Sequence, residues 1–257
     1  MPENKPHISY SELKEWGTCP YKHKLLHIDD LRQFKGNEYT AFGTAIHTVC
    51  EKKLLKESMN EDFFVQELEN NIAELDESNP ALVHDMKEQG NRIIPEIDDA
   101  LIDAFNYDYE VFSSEEALME PIQGSKKKFK GFIDAVIKTS DGRYHIVDWK
   151  TCSWGWNAKK RSDPMITYQL TLYKYFWCQK HNIDPSIVDT HFALLKRTAK
   201  SNRVEIFYVT SGKIKTNNAV GLLSKALLNI DKKRYIKNKL SCTAGYGCEF
   251  YKTKHCQ

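Results

Sequence analysis

Through the first part of this chain apolar residues recur at helical spacing, and near residue 117 they give way to short strand-like runs. Ser9 followed three residues later by Glu12 has the form of a capping box, so a helix is expected to begin there. Ala45, Val49, Leu54 and Leu55 recur at helical spacing and predict a second helix over about 43–57. Residues 61–76 and 80–107 read as two more helices, acidic and amphipathic. Residues 117–123 and 128–139 then read as strands, Ser140-Asp141-Gly142 as a turn, and residues 143–150 as a third strand. Residues 165–181 are apolar and aromatic over the length of a buried helix; 188–196 and 203–209 are two further strands, and 213–240 is mostly helix. The order predicts an α/β (α+β) protein with a mixed central sheet flanked by helices. We expect a single domain, helical over about 9–116, with a core over about 117–240 and a Cys-rich tail at 241–257.

Composition narrows the setting. With 41% hydrophobic and 28% charged residues in 257, the chain has an ordinary globular balance. It has no apolar run of about 18 residues, so no membrane span is expected. Its first residues lack a basic stretch followed by an apolar one, so no secretory signal is expected and the location expected is cytoplasmic, including that of a host cell if the protein is phage-encoded. The net charge of +2 arises from 37 Lys and Arg against 35 Asp and Glu, unevenly placed. Residues 50–120 are acidic, whereas Lys126, Lys127, Lys128, Lys130, Lys159, Lys160, Arg161 and the stretch 231–239 are basic. Such asymmetry suits a face for phosphates, although solvated helix faces give the same pattern.

The segment KGFIDAVIKTSDGRYHIVDWKT carries most of the chemistry. Asp134 and Asp148 lie in apolar strands, where a carboxylate is costly unless a cation or donor compensates it. A three-residue loop with Gly142 left-handed would set 139 opposite 143, and hence 134 opposite 148. Facing Cβ atoms lie roughly 4.5–5.5 Å apart, close enough for two carboxylates to share a divalent ion. Lys150 would then project from the face of Asp148, and Trp149 into the core. Two acids, an ion and an ammonium on one face suit phosphodiester hydrolysis. An isolated [DE]-x-K occurs by chance roughly once in every hundred or two residues, so the facing acids, not the tripeptide, carry the reading.

These residues resemble the PD-(D/E)XK nuclease superfamily, in its RecB-like and CRISPR-adaptation exonuclease branch. Ser11-x-Leu13 leading to Cys19-Pro20 resembles its opening segment, and residues 43–47 (GTAIH) its helix with a metal-binding histidine. Residues 131–134 with 147–151 resemble its acidic motifs, and Gln169 to Tyr173 its Q-x-x-x-Y helix. Residues 58–116 match no motif of that branch. The resemblance implies a restriction-endonuclease-like core, Mg2+ or Mn2+ held by His47, Asp134, Asp148 and the Trp149 carbonyl, and Lys150 as catalytic lysine. It implies that Gln169 and Tyr173 contact DNA or position the lysine; a structural histidine and a capped core face are the plainer readings of His47 and of the Gln–Tyr pair. Glu120 is a further acid near the hairpin.

Seven cysteines in a cytoplasmic setting argue against disulfides. Cys19, Cys242, Cys248 and Cys256 repeat an arrangement that in this branch holds a 4Fe-4S cluster, four thiolates being its natural complement. Here the late spacing is C-x5-C-x7-C rather than the usual C-x2-C-x5-C, and structural zinc or free thiols remain open. No G-x-x-x-x-G-K-[ST] motor motif occurs. Trp154 and Trp156 either stack on bases of a single strand or pack in the core. Lys159, Lys160 and Arg161 are candidate DNA contacts. The expected activity is exonucleolytic cleavage of DNA with free ends or single strands, in recombination or repair and with a recombination or replication partner. A structure-selective endonuclease and a non-catalytic DNA-binding module are the rivals.

Overall fold

The structure, a computed structural model, describes residues 5–32, 34–245 and 247–256. Ser9 ends a short strand, β1 (His7–Ser9), and caps helix α1 (Tyr10–Thr18), its hydroxyl accepting from the Glu12 N–H. The expected capping box closes only halfway. Glu12 turns instead to Lys5 and to the buried His23 of α2 (Pro20–His27), charge-assisted bonds that outweigh a return to the cap.

Helix α3 (Glu38–Leu54) starts earlier than its apolar spacing suggests, because Asn37 and Thr40 close a reciprocal box there. After α4 (Phe63–Ala73), the single helix expected over 80–107 is two: α5 (Pro80–Ile93) and α6 (Glu96–Phe105), parted at Pro95, which has no N–H to continue the ladder. Phe42, Phe64, Met86, Ile97 and Phe105 from these helices are fully buried. Gly90 lets α5 touch the Phe64 ring, since a Cβ there would lie 2.0 Å from its Cε1.

The sheet is mixed and, among the described residues, six-stranded. It comprises β1, β2 (Glu110–Pro121), β3 (Lys128–Lys138), β4 (Tyr144–Cys152), β5 (Val188–Lys196) and β6 (Val204–Tyr208). β2 begins seven residues before the expected 117, over a polar stretch that reads poorly as strand. The order is β1-β3-β4-β5-β6 with β2 on β3; β1–β3 and β4–β5 are parallel, the other pairs antiparallel. Side chains alternate as strand geometry requires. Ile146, Phe192 and Leu194 join the core beneath α8 (Pro164–His181) and α9 (Lys213–Asp231), while Val147, Trp149, Ala193 and Leu195 join that beneath α3 and α6. α9 ends nine residues short of 240, where Lys233 turns left-handed (φ 52°). A short helix, α7 (Ala158–Ser162), links β4 to α8.

One irregularity positions everything that follows. β2 runs along one edge of β3 for its whole length, so β4 and β1 share the other edge. β4 pairs with β3 only from Ala135 to Lys138, then leaves to follow β5, and β1 takes its place beside Lys128 to Lys130. The strands therefore part at Asp134 and Asp148. Among the described residues no helix is long and apolar enough to cross a membrane.

Candidate active site

The bend that joins β3 to β4 closes as its sequence demands. Thr139 N–H donates to the Arg143 carbonyl (3.0 Å), Gly142 N–H donates to the Thr139 carbonyl (2.9 Å), and Gly142 takes φ 81°, which glycine adopts at no steric cost. Ala135 faces Val147, and continuing that register brings Asp134 level with Asp148. The Trp149 N–H, freed by the parting of the strands, donates to Asp134 Oδ2 at 2.7 Å. Lys150 Nζ lies 2.6 Å from Asp148 Oδ2, and Trp149 is buried on the opposite face. His47, from α3, sets its Nδ1 3.9 Å from Asp134 Oδ2.

Burial dominates the electrostatics. It pushes both Asp134 and Asp148 up to about 6, and Lys150 pulls each back only partly. Burial lowers Lys150 too, but Asp148 and Asp134 outweigh it and hold the ammonium above its usual value. Lys150 is thus charged at neutral pH, a donor and not a base. His47, lowered by burial to about 4, is neutral and so competent as a metal ligand. Among the described residues no three His, Cys, Asp or Glu side chains stand where they would grip a metal ion as placed. The Lys150 ammonium is what balances the acids in this arrangement. The donor set nevertheless fits a hard divalent cation: two adjoining carboxylates, short of compensating charge, beside a neutral imidazole.

Gln169 and Tyr173, one turn apart on α8, act on Asp148. Gln169 Nε2 donates to Asp148 Oδ1 (2.9 Å) and to the Tyr173 hydroxyl (3.2 Å), fixing the carboxylate through which Lys150 is held. Glu120 is not the acid that approaches the site: it pairs with Phe129, far down β3 from Asp134. The register between Ser114↔Ala135 and Glu116↔Ile133 puts Glu115 level with Asp134, in a left-handed kink (φ 47°). Burial, then Glu51 and Asp148, raise the Glu115 carboxyl. Its neighbour Glu116 is structural. Burial raises it, yet hydrogen bonds from Lys180, Ser113, His181 and Trp177 bring it down to about 2. Nothing local in SSEE distinguishes the two.

The match of the PD-(D/E)XK nuclease superfamily model to residues 7–256 spans this site and both flanks of the sheet. The chain belongs to that superfamily. PD-(D/E)XK nucleases typically use Mg2+ or Mn2+, and the family implies DNA as substrate. Among solved structures, a protein of Eubacterium rectale provisionally named an exonuclease shares the fold at TM-score 0.61 and 14% identity, over 92% of this chain and 86% of that one. The structure of SSO0001 lies further off, at TM-score 0.41 and 14% identity, over 87% and 76%. No curated protein sequence matches the chain.

The remaining candidates divide. Trp156 is buried against Phe192 and Phe207, whereas Trp154 is 77% exposed. Arg161 is committed internally, to the Trp156 carbonyl, Glu205 and the Phe207 ring; Lys160 lies over Trp156, and Lys159 is exposed. Cys19, Cys242, Cys248 and Cys256 line one cavity of about 370 Å3. Asn238 N–H donates to Cys19 Sγ at 3.3 Å, and burial with the other three sulfurs raises the Cys242 thiol.

Proposed function

We propose that the chain is a metal-dependent DNA exonuclease that processes DNA ends in recombination or repair, with Asp134, Asp148 and Lys150 as its catalytic residues. The observation that carries the reading is the meeting of two buried acids and a charged lysine where β3 and β4 part. His47, Asp134, Asp148 and the Trp149 carbonyl would hold Mg2+ or Mn2+, which when bound supplies Lewis acidity toward a phosphoryl oxygen. Lys150 orients the attacking water and offsets the negative charge that grows on the phosphoryl oxygens. Gln169 and Tyr173 hold Asp148 still while this happens. A bond forms from water oxygen to phosphorus and one ester P–O bond breaks, leaving a phosphomonoester and a hydroxyl. The end-directed mode rests on the resemblance to the exonuclease branch. Linear end-labelled DNA should shorten progressively with Mg2+ or Mn2+ and stay whole with chelator, while covalently closed circles resist; nicking of the circles would make the enzyme an endonuclease. Lys159, Lys160 and the exposed Trp154 are additional contacts for the strand in this reading.

The four cysteines are proposed as the seat of a 4Fe-4S cluster, with structural zinc as the alternative donor-set match. Their gathering from both ends of the chain into one cavity, with an N–H turned to a sulfur, supports a thiolate-bound group. Anaerobically purified protein should be brown, with visible absorption that Cys248→Ser abolishes. Colourless protein containing stoichiometric zinc would replace the cluster, and metal-free protein would remove both.

A further inference from the structure

Where β1 replaces β4 beside β3, a cleft of about 530 Å3 opens against Lys150. One wall is the first turn of α1 with Ser9 and Ser11, another is residues 130–132 of β3, and Gln169 and Tyr173 close the back. The backbone at Gly131 lies against the Tyr173 ring, where an added Cβ would come within 2.7 Å of Cε1. The cleft is positive: Lys5, Lys14 and Lys130 join Lys150 in lining it. Lys5 is paired with Glu12, but among the described residues neither Lys14 nor Lys130 meets a carboxylate. Phe132, 50% exposed, carries the Lys130 ammonium 5.4 Å from its ring centre.

Ammonium groups that meet no carboxylate, at the positive end of a helix whose cap occupies only one of its first N–H groups, favour a phosphate. A half-exposed aromatic ring beside them favours an unpaired base, because in a duplex the base faces are already stacked on one another. We propose that this cleft seats the single-stranded arm of the DNA next to the scissile phosphate, its backbone held by Lys14, Lys130 and the first turn of α1, and a base laid on Phe132. The inference rests on the nuclease reading and names the strand form that site accepts. Basic segments following the catalytic lysine are not needed for it. His7, also in the lining, is a built-in reporter. Burial, Lys5 and Lys130 hold its imidazole below the usual value, with Lys127 adding to them and Glu12 opposing, so an arriving phosphate raises it.

The test is binding of a fluorescein-labelled oligothymidylate to the full chain in chelator, across a salt series. Each phosphate contact to a single strand contributes about 0.7 to the slope of log affinity against log salt. The Lys14→Ala/Lys130→Ala double variant should therefore bind more weakly, with a slope shallower by about 1.4. Phe132→Ala should lose about tenfold in affinity for the oligothymidylate and nothing for a blunt duplex. In the wild type, the His7 imidazole pKa read by NMR should rise when oligothymidylate is added. Unchanged affinity and slope in the variants, or equal losses on blunt duplex, would overturn the assignment. Because these readouts need no cleavage, wild-type protein that binds through these residues yet cuts nothing with Mg2+ or Mn2+ would sink the nuclease reading and leave the cleft standing.

Discussion

Lys150→Ala is expected to reduce metal-dependent DNA cleavage by at least about 10²–10³-fold, the loss typical when a preorganised charge stabiliser is removed from a transition state. Truncating Lys150 opens no core cavity, since its side chain is 31% exposed. It does take from Asp134 and Asp148 the ammonium that balances them, and from the cleft one of its positive groups, so a thermal melt and strand binding accompany the rate measurement. Asp148→Asn should be as damaging for a different reason. The amide oxygen still accepts from Gln169, so the shape is kept, but the charge that a cation and Lys150 both need is gone. Initial rates on end-labelled linear DNA, with binding measured in parallel, separate the two steps. Cleavage at wild-type rates by either variant would end the catalytic assignment.

The second large effect is on stability. Asp134 and Asp148 titrate near 6 in the folded chain against 3.8 for an ordinary aspartate. A carboxyl raised in this way binds its proton more tightly when folded. The cost of burying it is therefore absent below about pH 4, grows as pH rises to about 6, and is full at neutrality. Each shift corresponds to about 3 kcal/mol, and the two adjoining acids are coupled, so their sum is smaller. Divalent cation relieves that cost only where the acids are ionised. Mg2+ or Mn2+ should accordingly raise the melting temperature by several degrees at pH 7.5 and by much less at pH 5. Equal shifts at both values in a thermal melt would show that the cation binds elsewhere. Glu12 and Glu116 work in the opposite sense. Hydrogen bonds outweigh burial and hold both at about 2, so their stabilisation is present above about 4.5 and lost as pH falls through 2.

The heart of the site was legible in the sequence because local chemistry sets it. Ser140-Asp141-Gly142 admits one economical bend, and that bend fixes the pairing level of Asp134 with Asp148 and the burial of Trp149. What could not be read depends on contacts distant along the chain. β1 is three residues whose strand character comes from β3, some 120 residues away. Glu115 reaches the level of Asp134 only because β2 starts early and kinks. Trp154 and Trp156 look alike in sequence, and the aromatic pair Phe192 and Phe207, on two other strands, decides which is buried. Gln169 stands out in the sequence only through the likeness of its segment to a Q-x-x-x-Y helix, and its partner, Asp148, depends on the packing of α8 onto β4.

Leu25 and Leu26 of α2 are buried with Phe250 in a small core of their own, with Tyr21, Cys248 and Cys256 packed around it. The N-terminal helix pair is thereby clasped by the last residues of the polypeptide, and α1 in turn forms one bank of the channel beside Lys150. Head and tail thus make a joint fastening: whatever loosens the cysteine-bearing end slackens the bank against which a strand would lie.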